Sequence, residues 1–269
     1  MAEVPEPTRP IGVEMKLRQL EPPRSAALYD AWLHRIENRL RNDEDRNLIC
    51  RDALAELYGN PPGESLLTAQ FDPRNVTLES EYYGDCDPDK FARVKPLLWL
   101  WYSYDRSPAG MNLDLGFRLR RLLANFIFKR VGKNFKCFPY VEFTFGYNME
   151  VGDNVVVHRW VLLDDRGGIE LGDKASISDF VNVYSHTHDI NLQQYVDNRK
   201  TVIGPRCRLT YHSTVLAGTH MGENSMLGAH GLLTRNTREH AVYVGIPAKK
   251  VKEKDRDLAQ PVKHPDQRM

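Results

Sequence analysis

Cysteine is scarce in this 269-residue sequence, and the four cysteines present do not form a metal-binding pattern. None of them lies two to four residues from another, which is the spacing of cysteine-based zinc sites. Two fall at positions of a repeat, described below, where a free thiol packs as a small apolar side chain. We therefore expect no cysteine zinc site, and we expect a reducing, cytoplasmic compartment. The cysteines are Cys50, Cys86, Cys137 and Cys207.

Excess charge and long apolar runs are also lacking. The sequence has 37 Lys and Arg against 36 Asp and Glu, a formal net charge of +1. It contains no basic run or aromatic-interleaved basic stripe, so we expect no nucleic-acid partner. The longest unbroken apolar run, Leu97 to Tyr102, is far too short to cross a bilayer. Because the net charge is small and this run is short, we expect no membrane partner. The first residues, with Pro5, Pro7 and Pro10, lack the apolar stretch of a secretory signal.

What the chain does contain is an apolar residue that returns every six positions. A helix repeats near 3.6 residues and an isolated strand near 2, so neither explains a period of six. The period fits a coil of three short strands, each with one side chain pointing inward. The pattern predicts a mainly β protein built on a parallel β-helix of about five coils. The inward positions are Val131, Cys137, Phe143, Val151, Val157, Leu163, Leu171, Ile177, Val183, Ile203, Leu209, Val215, Met221, Leu227 and Leu233.

The breaks in the period each follow a third hexad, so the insertions are predicted at one corner of the coil. The longest, 184–202, is predicted to project from a β-helix that spans 131–244. Two segments are predicted before the β-helix. The first, 1–79, is an extension that is proline- and charge-rich and partly disordered at its beginning and helical later, and the second, 80–130, is helical. Residues 245–269 are predicted to form a short C-terminal helix and a tail.

Three stretches resemble the hexapeptide-repeat acetyltransferases, most closely the maltose, galactoside and nodulation-type sugar O-acetyltransferases. They are 145–154 (FGYNMEVGDN), 185–189 (SHTHD) and 244–251 (VGIPAKKV), with a weaker match at 81–89 (EYYGDCDPD). The resemblance implies an acetyl-CoA-dependent enzyme and a homotrimer with active sites between subunits. It also implies a left-handed coil, and it alone does so, since the general rule for parallel crossovers favours the opposite hand.

By this resemblance His188 is the general base. It is the sixth residue of the hexad that begins at Val183, where the longest insertion leaves the coil. An imidazole within hydrogen-bond reach can take the proton of a hydroxyl that attacks a thioester, and later return it to the thiolate. A supporting role fits His186 better, and Asp189 either orients His188 or caps a turn.

The resemblance places the acyl donor near the C-terminal end of the β-helix. Ala229 is expected to offer backbone contacts, Thr234 and Arg235 to meet the donor further along, and Lys249 and Lys252 to face its nucleotide phosphates. The two lysines equally fit the solvated face of a charged C-terminal helix. Acetyl-CoA is the expected donor substrate.

For the acceptor, the resemblance indicates Asp85, Thr144 and His158. The family has an asparagine where this chain has His158, which changes the size and donor pattern of that side chain and leaves sugar specificity open. Trp160 fits either stacking on an acceptor or a place at an exposed corner or subunit contact.

A metal alternative exists because zinc carbonic anhydrases share this coil and use two histidines five residues apart. No histidine here has another five residues on, so no metal is expected. The sequence therefore predicts an acetyl-CoA-dependent O-acetyltransferase acting on a hydroxyl of a sugar or another small hydroxylated molecule. The alternatives are an N-acyltransferase on an amino sugar or amine and a non-catalytic β-helix scaffold. The first eighty residues either cover the acceptor pocket or only pack.

Overall fold

The computed structural model describes residues 21–254. The predictions of disorder at the beginning of the chain and of a tail at its end fall largely outside these residues. The helices of the first half are α1 (Ala26–Arg41), α2 (Arg46–Leu57), the one-turn α3 (Leu66–Ala69), α4 (Pro88–Asp105) and α5 (Leu113–Ile127).

Side-chain caps define where the main helices begin. Asp87 accepts a hydrogen bond from the backbone N–H of Lys90 at the start of α4, and Asn112 does the same for Leu115 at the start of α5. Such caps satisfy backbone donors that a helix cannot pair internally. The helices pack on one another, and α4 also packs on the first coil, where the rings of Trp101 and Phe143 meet edge-on at 5.4 Å. This contact fixes α4 beside the β-helix.

The strands of the second half are short and follow one another in threes. The five coils consist of β1 (Arg130–Val131), β2 (Lys136–Cys137) and β3 (Glu142–Phe143); β4 (Met149–Val151), β5 (Val156–Val157) and β6 (Leu162–Asp164); β7 (Ile169–Leu171), β8 (Ser176–Ile177) and β9 (Asn182–Tyr184); β12 (Thr201–Ile203), β13 (Arg208–Leu209) and β14 (Thr214–Val215); and β15 (His220–Met221), β16 (Met226–Leu227) and β17 (Leu232–Leu233). Between the third and fourth coils lie β10 (His186–His188) and β11 (Val196–Asn198), and the chain continues with β18 (Ala241–Val244) and β19 (Lys249–Glu253).

Equivalent strands of successive coils form three parallel sheets. One has the order β1-β4-β7-β12-β15, and its register stacks Val131, Val151, Leu171, Ile203 and Met221 above one another. All of these except Val131, at the open end, are fully buried. The predicted parallel β-helix of about five coils is therefore confirmed, with β18 adding the first strand of a further turn.

Five rings stack along one corner of the β-helix. Each belongs to a residue in the left-handed region, with φ between 55° and 64°. The structure places Trp160 between Tyr140, at a ring distance of 4.2 Å, and Phe180, at 6.4 Å. Trp160 is 51% exposed at this corner, which agrees with the second of the two roles open to it. The full ladder is Tyr140, Trp160, Phe180, His212 and His230.

The predicted C-terminal helix is wrong. Lys249–Glu253 forms β19, which pairs antiparallel with β18. Gly245, with φ of +97°, lets the chain reverse between the two strands. The edge of β18 offers unpaired backbone groups, and a returning strand satisfies them where a helix would leave them open.

Candidate active site

The longest insertion folds into an antiparallel hairpin that projects from the corner after β9. His186, Thr187 and His188 pair with Asn198, Asp197 and Val196 respectively. Asp189 begins the connecting turn, and its Oδ1 accepts the backbone N–H groups of Asn191 and Leu192, both at 2.9 Å. These bonds hold the pKa of Asp189 below its ordinary value. Asp189 therefore caps the turn, which was one of the two roles open to it.

The His188 side chain is exposed on this hairpin, and one ring nitrogen is fixed. Nδ1 lies 2.6 Å from the backbone oxygen of Gln193. A carbonyl oxygen can only accept, so Nδ1 carries the proton and the neutral ring presents a lone pair at Nε2. Within residues 21–254 Nε2 has no partner. This tautomer is the one a general base needs.

His186 lies two residues before His188 on the same face of β10, and it contacts the second coil. Its Nδ1 contacts Oδ2 of Asp164, whose side chain is 3% exposed. The hydroxyl of Thr144 donates to Oδ1 of the same carboxylate at 2.9 Å. The His186 and His188 rings meet edge-on, with centroids 5.3 Å apart. A chain of contacts thus leads from Thr144 to His188.

Asp85 is tied to a residue that the sequence analysis missed. Arg166 donates from Nε to Oδ2 at 2.9 Å and from Nη2 to Oδ1 at 2.7 Å, and the amide of Asn198 donates to Oδ2 at 2.8 Å. Burial acts to raise the pKa of Asp85, but the hydrogen bonds from Arg166 and Asn198 outweigh it and hold the pKa below its ordinary value. The guanidinium also lies 4.4 Å over the ring of Tyr83.

A cavity of about 400 Å³ opens between the helical segment and these coils. Thr144, Asp164, Arg166 and His186 line it. The structure brings Thr144 into this wall and Asp85 to its edge through Arg166. Of the predicted acceptor residues, His158 lies elsewhere, with its ring stacked on Phe138 at 4.6 Å, and burial lowers its pKa.

Asp165 binds the backbone at the same corner of the β-helix. It is fully buried, and burial raises its pKa from 3.8 to about 6. Its two oxygens accept the backbone N–H groups of Phe145, at 2.7 Å, and Asn148, at 3.1 Å. The run Asp164-Asp165-Arg166 follows the inward residue Leu163 of a third hexad, as the projecting hairpin follows Val183. That shared position was the signal by which Asp164 and Arg166 were open to prediction.

The five predicted donor residues are all exposed and lie at the end of the β-helix. Ala229 precedes β17, and Thr234 and Arg235 follow it. Lys249 and Lys252 pair with Val244 and Val242, two residues apart on β18, across an irregularity in the register. Residues two apart on a strand share a face, so the two lysines do as well. The described contacts join none of these five residues to His188.

The described residues contain neither a metal-ligand cluster nor a membrane-spanning helix. Within 21–254 no group of three or more His, Cys, Asp and Glu is placed to hold a metal ion. In the same span, no helix is both long and apolar enough to cross a bilayer.

Two curated proteins that are similar to this chain in sequence are named acetyltransferases. The chain is 27% identical over 176 residues to galactoside O-acetyltransferase of Escherichia coli, covering 63% of this chain and 82% of that protein. It is 26% identical over 156 residues to WcaF of the same species, which is named as a colanic acid biosynthesis acetyltransferase, covering 58% and 86%. No family model matches the chain.

Solved structures share the fold. A maltose O-acetyltransferase from Clostridium difficile 630 superposes with a TM-score of 0.57 at 22% identity, over 65% of this chain and 92% of that one. A galactoside acetyltransferase in complex with coenzyme A gives a TM-score of 0.56 at 24% identity, over 65% and 86%. Both the relatives and the structural neighbours are thus acetyltransferases.

Proposed function

We propose that this chain, a homologue of the hexapeptide-repeat acetyltransferases, transfers the acetyl group of acetyl-CoA to a hydroxyl of a sugar or another small hydroxylated molecule. The observation that carries the proposal is the contact between Nδ1 of His188 and a carbonyl oxygen, because it favours the proton on Nδ1 and leaves Nε2 as the base. Nδ1 is held by the Gln193 carbonyl at 2.6 Å, and Nε2 faces outward on a projecting hairpin.

The reaction runs by direct attack. The acceptor oxygen forms a bond to the thioester carbonyl carbon while Nε2 of His188 takes the hydroxyl proton. The resulting oxyanion is stabilised by a backbone N–H donor. The carbon–sulfur bond then breaks, and the imidazolium returns its proton to the thiolate of coenzyme A. No covalent acyl-enzyme and no metal take part.

The functional unit is proposed to be a homotrimer in which a site forms between two subunits. His188 and the five donor residues are exposed, yet no described contact joins them within one chain. A hairpin that projects from the coil suits contact with a neighbouring subunit. Sedimentation of the purified protein as a stable monomer would contradict this shared site.

An amine acceptor is the second candidate, and one observation favours it. Besides Asp164, the cavity wall includes the carboxylates of Glu79 and Glu142. Negative side chains attract an ammonium group, which must then lose a proton before it attacks. An N-acyltransferase would use the same base and donor.

The test is acceptor-dependent release of thiol from acetyl-CoA by the wild type and by His188→Ala. The panel contains methyl hexopyranosides, amino sugars, simple amines and phenols. We expect release with a hydroxylated acceptor, reduced about 10²–10⁴-fold in the variant. His220→Ala, a change at an exposed histidine of the fifth coil, serves as the matched control. Preference for amines would establish the N-acyltransferase, and absence of both release and acetyl-CoA binding would favour a scaffold.

A further inference from the structure

The Asp164–His186 pair has no part in the proposed chemistry, although it is built into the cavity wall. Asp164 is 3% exposed and His186 17%. Oδ1 accepts the hydrogen bond of the Thr144 hydroxyl, whereas Oδ2 lies against Nδ1 of His186 in an ion-pair contact without hydrogen-bond geometry. Because its side chain is 3% exposed, the carboxylate offers little surface to a ligand. Its evident effect is to orient the two side chains that border the cavity.

This arrangement determines what each side chain offers to a ligand. The hydroxyl of Thr144 donates its hydrogen bond to Asp164, so its oxygen can only accept a hydrogen bond from a ligand in the cavity. The negative charge of Asp164 beside Nδ1 of His186 favours a proton on that nitrogen, which leaves Nε2 as the ring nitrogen for a ligand. Nε2 has no partner among the described residues. The edge-on contact with the His188 ring, at 5.3 Å, sets the two imidazoles side by side.

We infer that His186 binds the acceptor: its Nε2 hydrogen-bonds the hydroxyl next to the one that His188 deprotonates. The inference rests on the proposed acetyl transfer and names its acceptor class, a molecule with two neighbouring hydroxyls. His188 takes the proton of one hydroxyl, and His186 holds the other and so selects which oxygen attacks. No proton is transferred to His186 in this role.

A purely structural role for the pair makes a different prediction, which two substitutions separate. In His186→Asn the side-chain amide N–H takes the place of Nδ1–H, so Asp164 keeps a partner while Nε2 is lost. In His186→Gln the amide reaches toward the position of Nε2, and Asp164 loses its partner. A structural role would impair the Gln variant, whereas a binding role impairs the Asn variant.

The experiment compares each methyl hexopyranoside that the wild type acetylates with its deoxy analogue lacking the hydroxyl adjacent to the acetylated position. We expect kcat/KM of the wild type to favour the diol about 10–100-fold, the effect of leaving one enclosed polar group unpaired. His186→Asn is expected to reduce this ratio to near one, and to leave the KM for acetyl-CoA and the thermal midpoint unchanged. His186→Gln is expected to keep part of the preference.

Equal rates of the wild type with a diol and its deoxy analogue would overturn the inference and leave the proposed function intact. So would an unchanged preference in His186→Asn. Absence of transfer to every hydroxylated probe would overturn both.

Discussion

Asp85 and Arg166 are 81 positions apart in the chain, yet two hydrogen bonds join them at the edge of the cavity. Asn198 of the projecting hairpin donates to the same carboxylate. One ion pair thus connects the segment before α4, the corner after β6 and the hairpin. The side chains of Arg166 and Asp85 are 6% and 25% exposed, so solvent screens this pair much less than it screens a surface pair.

Arg166→Ala is expected to raise the KM for the acceptor about tenfold, with a smaller effect on kcat and none on the KM for acetyl-CoA. The reason is that Asp85 and the hairpin lose the group that holds them against the coil. Arg166→Lys is expected to have a KM for the acceptor between those of the wild type and Arg166→Ala, since an ammonium cannot form the bidentate hydrogen bonds of a guanidinium. Steady-state kinetics provide the measurement. Arg199→Ala, which removes an exposed pair with Asp197 on the hairpin, is the control. An unchanged acceptor KM in Arg166→Ala would contradict the assignment.

Arg120→Met is expected to destabilise the protein by about 3–5 kcal/mol, because it leaves a buried carboxylate unpaired. Arg120 and Asp105 are 0% and 1% exposed, and Nε of Arg120 donates to Oδ1 at 2.9 Å. Asp105→Asn combined with Arg120→Met is expected to recover part of the loss, since the amide can still accept from the backbone of Tyr140. Urea denaturation gives the free energies. Equal destabilisation in the single and double variants would show that the charge is not the cause.

Asp165 is expected to make the free energy of unfolding depend on pH. Its folded pKa of about 6 lies above the ordinary value of 3.8, so between these pH values the folded state holds a proton that the unfolded state has released. Stability from this group therefore falls as pH rises from about 4 to 6, by about 3 kcal/mol in total, and is constant above. The difference between the wild type and Asp165→Asn, measured by denaturation across this range, isolates the effect. A difference independent of pH would refute it.

Removing Lys249 and Lys252 together is expected to raise the KM for acetyl-CoA by about 2–30-fold and to leave kcat unchanged. Both side chains are exposed, so each contributes only about 0.2–1 kcal/mol to binding a phosphate. The loss is expected to be smaller with 3′-dephospho-acetyl-CoA as the donor, because one target phosphate is absent. Lys136→Ala, at the opposite end of the same sheet, is the control. An equal effect on both donors would exclude contact with the 3′-phosphate.

The periodic part of the fold was predictable from sequence because each coil repeats the same local rule. One apolar side chain per six residues points inward, and the parallel register stacks it on equivalents such as Val151 and Leu171. The C-terminal strand was not predictable in this way. The lysines of 249–254 suit an exposed helix or an exposed strand equally, and the unpaired edge of β18 decides between them.

Part of the candidate site was also predictable from the repeat. His188 could be located because its position in the repeat matches a known motif. Arg166 and Asp164 act through contacts with residues distant in sequence, at separations of 81 and 20. The contact of Arg166 with Asp85 depends on how the helical segment packs against the coils, and no local pattern encodes it. The contact of Asp164 with Thr144 joins neighbouring coils, so the repeat indicates the positions but not the hydrogen bond. His158 was assigned to the acceptor site by its position in a motif, but in the structure its ring stacks on Phe138.

All three interruptions of the repeat leave the β-helix at one corner, after β3, β6 and β9. Each strand that resumes after an interruption pairs in the same parallel register as before. A segment at this corner can therefore lengthen or change sequence without shifting any coil. In evolutionary terms, the part of the molecule that is proposed to select the acceptor is free to vary while the stack that carries it stays constant. The same independence makes this corner the place to graft a new acceptor loop.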